Sequence, residues 1–129
     1  MDINKGHVKS FEFNYPTIIS LLGIASFLVS GLALVGLILA YVWRSDNPDG
    51  WESTHYTFHI YTFWISVLGL FFSILLFFGL SIMSRSAGFA VIAMGMMMAI
   101  MPWCLIRSIV SLLSAQKQEP IPNPHSWIW

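Results

Sequence analysis

Charged residues are scarce in this chain of 129 residues, at 9% of the total, whereas hydrophobic residues make up 57%. A soluble domain usually carries about 25% charged residues, so water is a poor solvent for a chain of this composition. The six basic residues balance the six acidic ones, and no basic patch indicates nucleic acid as a partner. The composition therefore favours an integral membrane protein.

Several groups that would carry chemistry are also missing. The chain has one cysteine, Cys104, which excludes an intramolecular disulfide. Its long apolar runs contain no Asp or Glu, which argues against a proton-coupled carrier within one protomer. No nucleophile–base pair and no glycine-rich phosphate loop is recognisable. The sequence therefore predicts a protein that is not an enzyme, with no catalytic residues and no cofactor.

Long uncharged runs are what the chain does contain, at Thr17–Trp43, Tyr56–Ser84 and Ser86–Ile106. A helix needs about 20 apolar residues to cross the hydrocarbon core of a bilayer, and each run is that long. The second and third runs are separated by a tight turn, which predicts an antiparallel helical hairpin. The fold class predicted is an all-α membrane protein with three transmembrane helices, one helix followed by this hairpin.

The ends of the chain differ in character from these runs. Residues 1–16 are polar and amphipathic and are expected to lie at the membrane interface, and the run that follows is too long for a signal peptide. The prolines of Glu119–Pro124 exclude a helix and predict an extended tail. We expect a single integral membrane domain over residues 1–129, divided into an interfacial N-terminal segment (1–16), a first transmembrane helix (17–43), a polar connector (44–54), a second helix (55–83), a third helix (86–113) and a Pro- and Trp-rich tail (114–129).

The richest chemistry lies at the start of the second helix, where Glu52, His55 and His59 follow helical spacing. A carboxylate and two imidazoles on one helix face are suitable ligands for zinc or iron(II). The competing interpretation is a set of interfacial polar side chains that bind headgroups or neighbouring residues. A haem held by the two histidines alone is excluded, because axial ligands approach opposite faces of the macrocycle. We predict no metal site, and these three residues are the candidates if one exists.

Arg107 is the basic residue embedded near the end of the third run. It either extends its charged end to the interface or pairs with Glu52 or a lipid phosphate. Aromatic and polar residues near the same membrane face would be its neighbours. The residues predicted to contact lipid or a protein partner are Arg44, Trp51, His55, Tyr56, Tyr61, Arg107, Trp127 and Trp129.

Four short motifs carry a resemblance to a known family: Ala40–Arg44, Glu52–Tyr56, Thr62–Ile65 and Glu119–Pro124, with sequences AYVWR, ESTHY, TFWI and EPIPNP. In this order the chain resembles a widespread group of small proteobacterial inner-membrane proteins of unknown function. That group is distantly related to a chloroplast inner-envelope protein-translocon subunit. The resemblance covers nearly the whole chain, although the apolar helices contribute little to it.

Three positions depart from the pattern of that family. Arginine is frequent where this chain has Thr57 and Tyr61, and glutamine is frequent where it has His59. The second histidine is thus peculiar to this chain, which weakens a metal site as a family function. The resemblance implies a multi-pass helical protein of the bacterial inner membrane and transfers no activity.

Three hypotheses for function remain. The leading one is a non-catalytic accessory or scaffold subunit whose partners are membrane lipids and a larger membrane protein complex, or other copies of itself. The second is a homo-oligomeric component for transport or translocation. The third is a membrane protein that binds a metal or redox cofactor through Glu52, His55 and His59.

Overall fold

The computed structural model describes residues 11–26 and 31–127, and within those ranges every regular element is a helix. The elements are α1 (Tyr15–Ala25), α2 (Gly31–Asp46), α3 (Trp51–Leu75), a π-helical turn (Leu76–Leu80), α4 (Ser81–Ser84) and α5 (Ala87–Gln116). The all-helical fold class is therefore as predicted.

Two helical segments are long and apolar enough to cross a membrane. One combines α3, the π-helical turn and α4 into 34 residues, and the other is α5 with 30 residues. The mean hydropathy of their most apolar windows is 2.5 and 2.2, yet only 6% of each window is buried inside the protein. The core helix of a soluble protein would bury its apolar side chains, so these two helices have the exposure expected of lipid-facing segments.

These two segments form the predicted antiparallel hairpin. Arg85 ends α4 with a left-handed backbone (φ 50°), and the Ser86 hydroxyl caps α5 by accepting a bond from the amide of Gly88. Further along the hairpin, Ser66 Oγ lies 2.9 Å from Cys104 Sγ. The positions of these partners show that α3 and α5 run side by side in opposite directions.

The prediction of one continuous helix over residues 17–43 is wrong. Tyr15 at the start of α1 stacks on Trp43 near the end of α2, with ring centroids 4.4 Å apart. In a single straight helix these two residues would be separated by about 42 Å. A Cβ at Gly36 of α2 would also lie 3.5 Å from Leu22 of α1. The first apolar run therefore folds into two short helices packed side by side, and residues 27–30 between them lie outside the described ranges.

Other predicted boundaries also shift. Helix α2 continues to Asp46 and α3 begins at Trp51, so the polar connector is the short segment Asn47–Gly50 rather than residues 44–54. Gly50 precedes α3 with an extended backbone, and Glu52 stands in the first turn, where a carboxylate stabilises a helix dipole. Helix α5 runs to Gln116 instead of 113.

Most of the buried side chains lie at one end of the molecule. There α1 packs against α2, α3 and α5, and a cluster of Ile19, Ala40, Tyr56 and Ile60 forms the apolar core. The start of α1, the connector and the end of α5 all meet at this end, which we call the polar end. The rest of the molecule is the two-helix hairpin.

The chain reverses direction after α5 through a Schellman motif. The amide of Gln118 donates to the carbonyl of Ala115 at 3.1 Å, and the amide of Glu119 donates to the carbonyl of Ser114 at 3.1 Å. Gln118 supplies the left-handed residue of the motif, with φ 55°. The segment that follows, residues 119–127, is not helical and is called the strap here.

Candidate functional site

The strap returns along α3 and α5 and is held by direct hydrogen bonds. The amide of Ile121 donates to the Thr54 hydroxyl at 3.0 Å, and Trp103 Nε1 donates to the carbonyl of Trp127 at 2.9 Å. Ile121 is itself buried. These contacts fasten both halves of the strap to the hairpin.

Arg107 lies at the junction of the strap and the hairpin. Its Nε donates to the Thr62 hydroxyl and its Nη1 to the carbonyl of Ser126, each at 2.7 Å. The central carbon of the guanidinium lies 3.8 Å from the centroid of the Phe58 ring and 4.9 Å from the centroid of the Trp103 ring. Cation–π contacts of this kind stabilise a guanidinium removed from water. Arg107 therefore joins α3, α5 and the strap.

The two histidines of α3 form a buried polar network with α1, α5 and the strap. His55 Nε2 donates to the carbonyl of Glu119 at 2.8 Å, and its Nδ1 lies 3.0 Å from Ser111 Oγ. His59 Nε2 lies 3.1 Å from the same Ser111 oxygen and 3.2 Å from Ser20 Oγ. Because a carbonyl only accepts, His55 carries its proton on Nε2, and its Nδ1 accepts a hydrogen bond from the Ser111 hydroxyl.

A serine beside a histidine invites comparison with a hydrolytic centre. His55 and Ser111 are both 0% exposed, and neither lines the cavity between the helices. A nucleophile must reach its substrate, and these two side chains are enclosed by packed helices. The pair therefore joins helices, and its contacts are those of a structural network.

The hypothetical metal site is not assembled. Glu52 accepts a long bond of 3.4 Å from the hydroxyl of Tyr56, and both ring nitrogens of His55 are engaged by Ser111 and Glu119. Across residues 11–26 and 31–127, no group of three or more His, Cys, Asp or Glu side chains could hold a metal ion. The spacing placed the candidates on one helix face, but His55 and His59 both bond to Ser111 while Glu52 bonds to Tyr56 of its own helix.

Amide side chains tie the chain preceding α1 to the end of α5. Asn14 Oδ1 caps α1 by accepting from the Thr17 amide, while its Nδ2 donates to the carbonyl of Ala115, both at 2.9 Å. Gln116 accepts from the backbone amide of Glu12 at 3.1 Å and donates to its carbonyl at 2.8 Å. Glu12 and Asn14 are thus fixed against the end of α5.

A cavity of about 230 Å³ lies among α1, α2, α3 and α5, next to the histidine network. Its walls are mainly apolar, with Ile19, Leu37 and Phe63 among them. His59 and Ser108 contribute polar groups. An apolar pocket with a few converging polar groups is the usual form of a small-molecule site.

The residues predicted to contact lipid or a partner divide into three groups. His55, Tyr56 and Arg107 are at most 1% exposed, so the prediction is wrong for them, because the strap and neighbouring helices cover them. Trp129 lies outside the described residues. The predicted contacts that remain at the surface are the half-buried Trp51 and the exposed Arg44, Tyr61 and Trp127.

Several residues of the network were not found from the sequence. Ser20, Ser111 and Thr62 are common residue types in apolar helices, and no local pattern distinguishes them. The contact between Ser20 and Ser111 joins positions 91 apart in the chain. Only the arrangement of α1 against α5 brings them to the histidines.

Comparisons of the chain with protein-family models, curated proteins and solved structures give no match. A function must therefore be argued from the residues and their geometry. The observations that bear on it are the polar network, the fastened strap, the cavity and the exposed apolar faces of α3 and α5.

Proposed function

We propose that this chain is a multi-pass protein of the bacterial inner membrane that acts without catalysis, as an accessory or scaffold subunit of a larger membrane complex. Exposed apolar side chains along α3 and α5 fit the acyl chains of a bilayer as neighbours. The resemblance to small proteobacterial inner-membrane proteins supports the same compartment.

The topology that we propose has two spans, formed by the segment from α3 to α4 and by α5. Helix α1 has 11 residues and a length of about 16 Å, which is roughly half of the ~30 Å hydrocarbon core. The pair α1 and α2 then enters from the polar end without crossing the bilayer. Residues 11–14 and the strap lie near the interface on that same side.

The observation that carries the proposed function is the use of reactive side chains in internal contacts. His55, Ser111 and Arg107 are each 0% exposed, and each joins separate parts of the fold. Side chains arranged in this way stabilise a rigid surface at the polar end. Such a surface suits docking, because rigid elements lose little conformational entropy on binding.

The proposed docking surface includes Trp127, which is 72% exposed on the strap. A photo-reactive phenylalanine analogue at Trp127, introduced in intact cells, should form cross-links to a distinct membrane protein. The matched control carries the analogue at Met83, which is 84% exposed at the opposite end of the hairpin. Mass spectrometry of the purified adducts identifies the partner.

The result that supports the proposal is a stoichiometric partner captured from Trp127 and not from Met83. Cross-links to lipid alone from both positions, together with recovery of an unpartnered monomer after native purification, would overturn it.

The alternative of transport by a homo-oligomer receives less support. A transport path needs polar side chains along the whole membrane depth. Among the described residues, the buried polar side chains lie mostly at the polar end, and Ser73 is the exception further along α3. Flux measured in reconstituted vesicles tests this alternative.

A further inference from the structure

The cavity beside the histidine network has the size of a small organic molecule. Its volume of about 230 Å³ exceeds the ~150 Å³ of an apolar protein cavity that binds benzene. Val67 and Leu70 line it and are also 39% and 38% exposed on the apolar outer surface. The cavity therefore lies directly behind the apolar outer surface.

One hydroxyl in the cavity wall makes no hydrogen bond with any described residue. Ser20, Ser66 and Ser73 each donate to the carbonyl four residues earlier in their own helix. Ser108 lines the cavity and is 4% exposed, yet its hydroxyl makes no hydrogen bond within residues 11–26 and 31–127. Hydroxyls that are largely removed from water are usually paired, so this one is available to a molecule held in the cavity.

The second polar group is His59, and its neighbours assign its proton. Ser111 donates to His55, and Ser20 donates to the carbonyl of Pro16 at 2.9 Å. Both serine oxygens then act as acceptors toward Nε2 of His59, so this nitrogen carries the proton. Nδ1 of the neutral ring is left as an acceptor without a partner in the described part of the chain.

We propose that this cavity binds a lipid-soluble molecule with a hydroxyl on a compact apolar body, of the phenol class. The ligand hydroxyl would donate to Nδ1 of His59 and accept from the Ser108 hydroxyl, which gives both protein groups a partner. A plain acyl chain would fill the volume and leave both groups unpaired. The site is independent of any docking at the polar end.

The test uses the full chain in lipid nanodiscs and the probe 4-propylphenol, with propylbenzene as the matched probe that lacks the hydroxyl. Saturable binding is measured by calorimetry and corrected with nanodiscs that contain no protein. We expect wild-type protein to bind the phenol about tenfold more tightly than propylbenzene, the effect of one or two buried hydrogen bonds.

Ser108→Ala should weaken phenol binding about threefold, because the bond to His59 remains, and leave propylbenzene binding unchanged. Ser114→Ala, on the same helix but outside the cavity wall, should change neither affinity. Ala33→Leu should abolish binding of both probes by filling the cavity, with circular dichroism used to verify helix content. Equal affinity of wild-type protein for the two probes, phenol affinity unaltered by Ser108→Ala, or binding no greater than in empty nanodiscs would each overturn the proposal.

Discussion

Arg107 shows how one side chain can hold separate parts of a fold together. It is 0% exposed, and its two shortest bonds reach α3 and the strap. A guanidinium presents several donors in a fixed plane, which allows it to bond in two directions while stacking on aromatic rings. Neither an interfacial position for the charged end nor a contact with lipid phosphate fits this burial.

Replacing Arg107 with lysine keeps the charge and removes the planar guanidinium group with its several N–H donors. We expect Arg107→Lys to lower the free energy of unfolding by about 2 kcal/mol, because one ammonium cannot replace both bonds and the ring contacts. The measurement is SDS-induced unfolding in detergent micelles, followed by circular dichroism. Arg44→Lys is the matched control at an exposed position and should change stability by less than about 0.5 kcal/mol. Equal stability of the two variants would contradict this role for Arg107.

At the scale of elements, the end of α5 decides where the strap goes. The Schellman motif turns the chain back, and the bond from Ile121 to Thr54 holds it there. Gln118 occupies the left-handed position that glycine usually fills, and a side chain there costs about 1 kcal/mol. The bond from Gln118 Nε2 to Glu12 at 2.7 Å is exposed and offsets only part of that cost.

Gln118→Gly should therefore raise the free energy of unfolding by about 0.5 kcal/mol, since it relieves the backbone strain and loses one exposed bond. Lys117→Gly is the matched control, because Lys117 has φ −87° and gains nothing from glycine. We expect this control to lower stability by about 0.5 kcal/mol. Thermal unfolding of the purified protein in detergent measures both changes. Effects of the same sign would contradict the strain argument.

At the scale of the whole molecule, the pairing of α1 with α2 sets the topology. It places residues 11–14 on the same side as the connector at Asn47–Gly50, since Tyr15 stacks on Trp43. Three spans would place those two segments on opposite sides of the membrane. The two arrangements therefore differ in one measurable property, the side on which Phe13 lies.

Single cysteines at Phe13, Asp49 and Met83, each in a Cys104→Ser background, distinguish these arrangements. We expect a membrane-impermeant maleimide to label Phe13→Cys and Asp49→Cys from the same side of sealed vesicles, and Met83→Cys from the other. Phe13 and Met83 are 72% and 84% exposed, so reagent can reach them. Labelling of Phe13→Cys together with Met83→Cys would instead show three spans and contradict the short-helix pair.

Composition and hydropathy by themselves determined that the chain is helical and that its second and third apolar runs form a hairpin of helices long enough to cross a bilayer. They also predicted a third span, which the structure replaces with a pair of shorter helices. These properties are local, because about 20 apolar residues must form a helix to satisfy their backbone groups in lipid. The tertiary structure alone decided that Tyr15–Ala25 and Gly31–Asp46 form two packed helices, and that His55, His59 and Arg107 join helices and strap. Those outcomes depend on contacts between distant positions, such as Ser20 with Ser111 and Arg107 with Thr62, which no local spacing encodes.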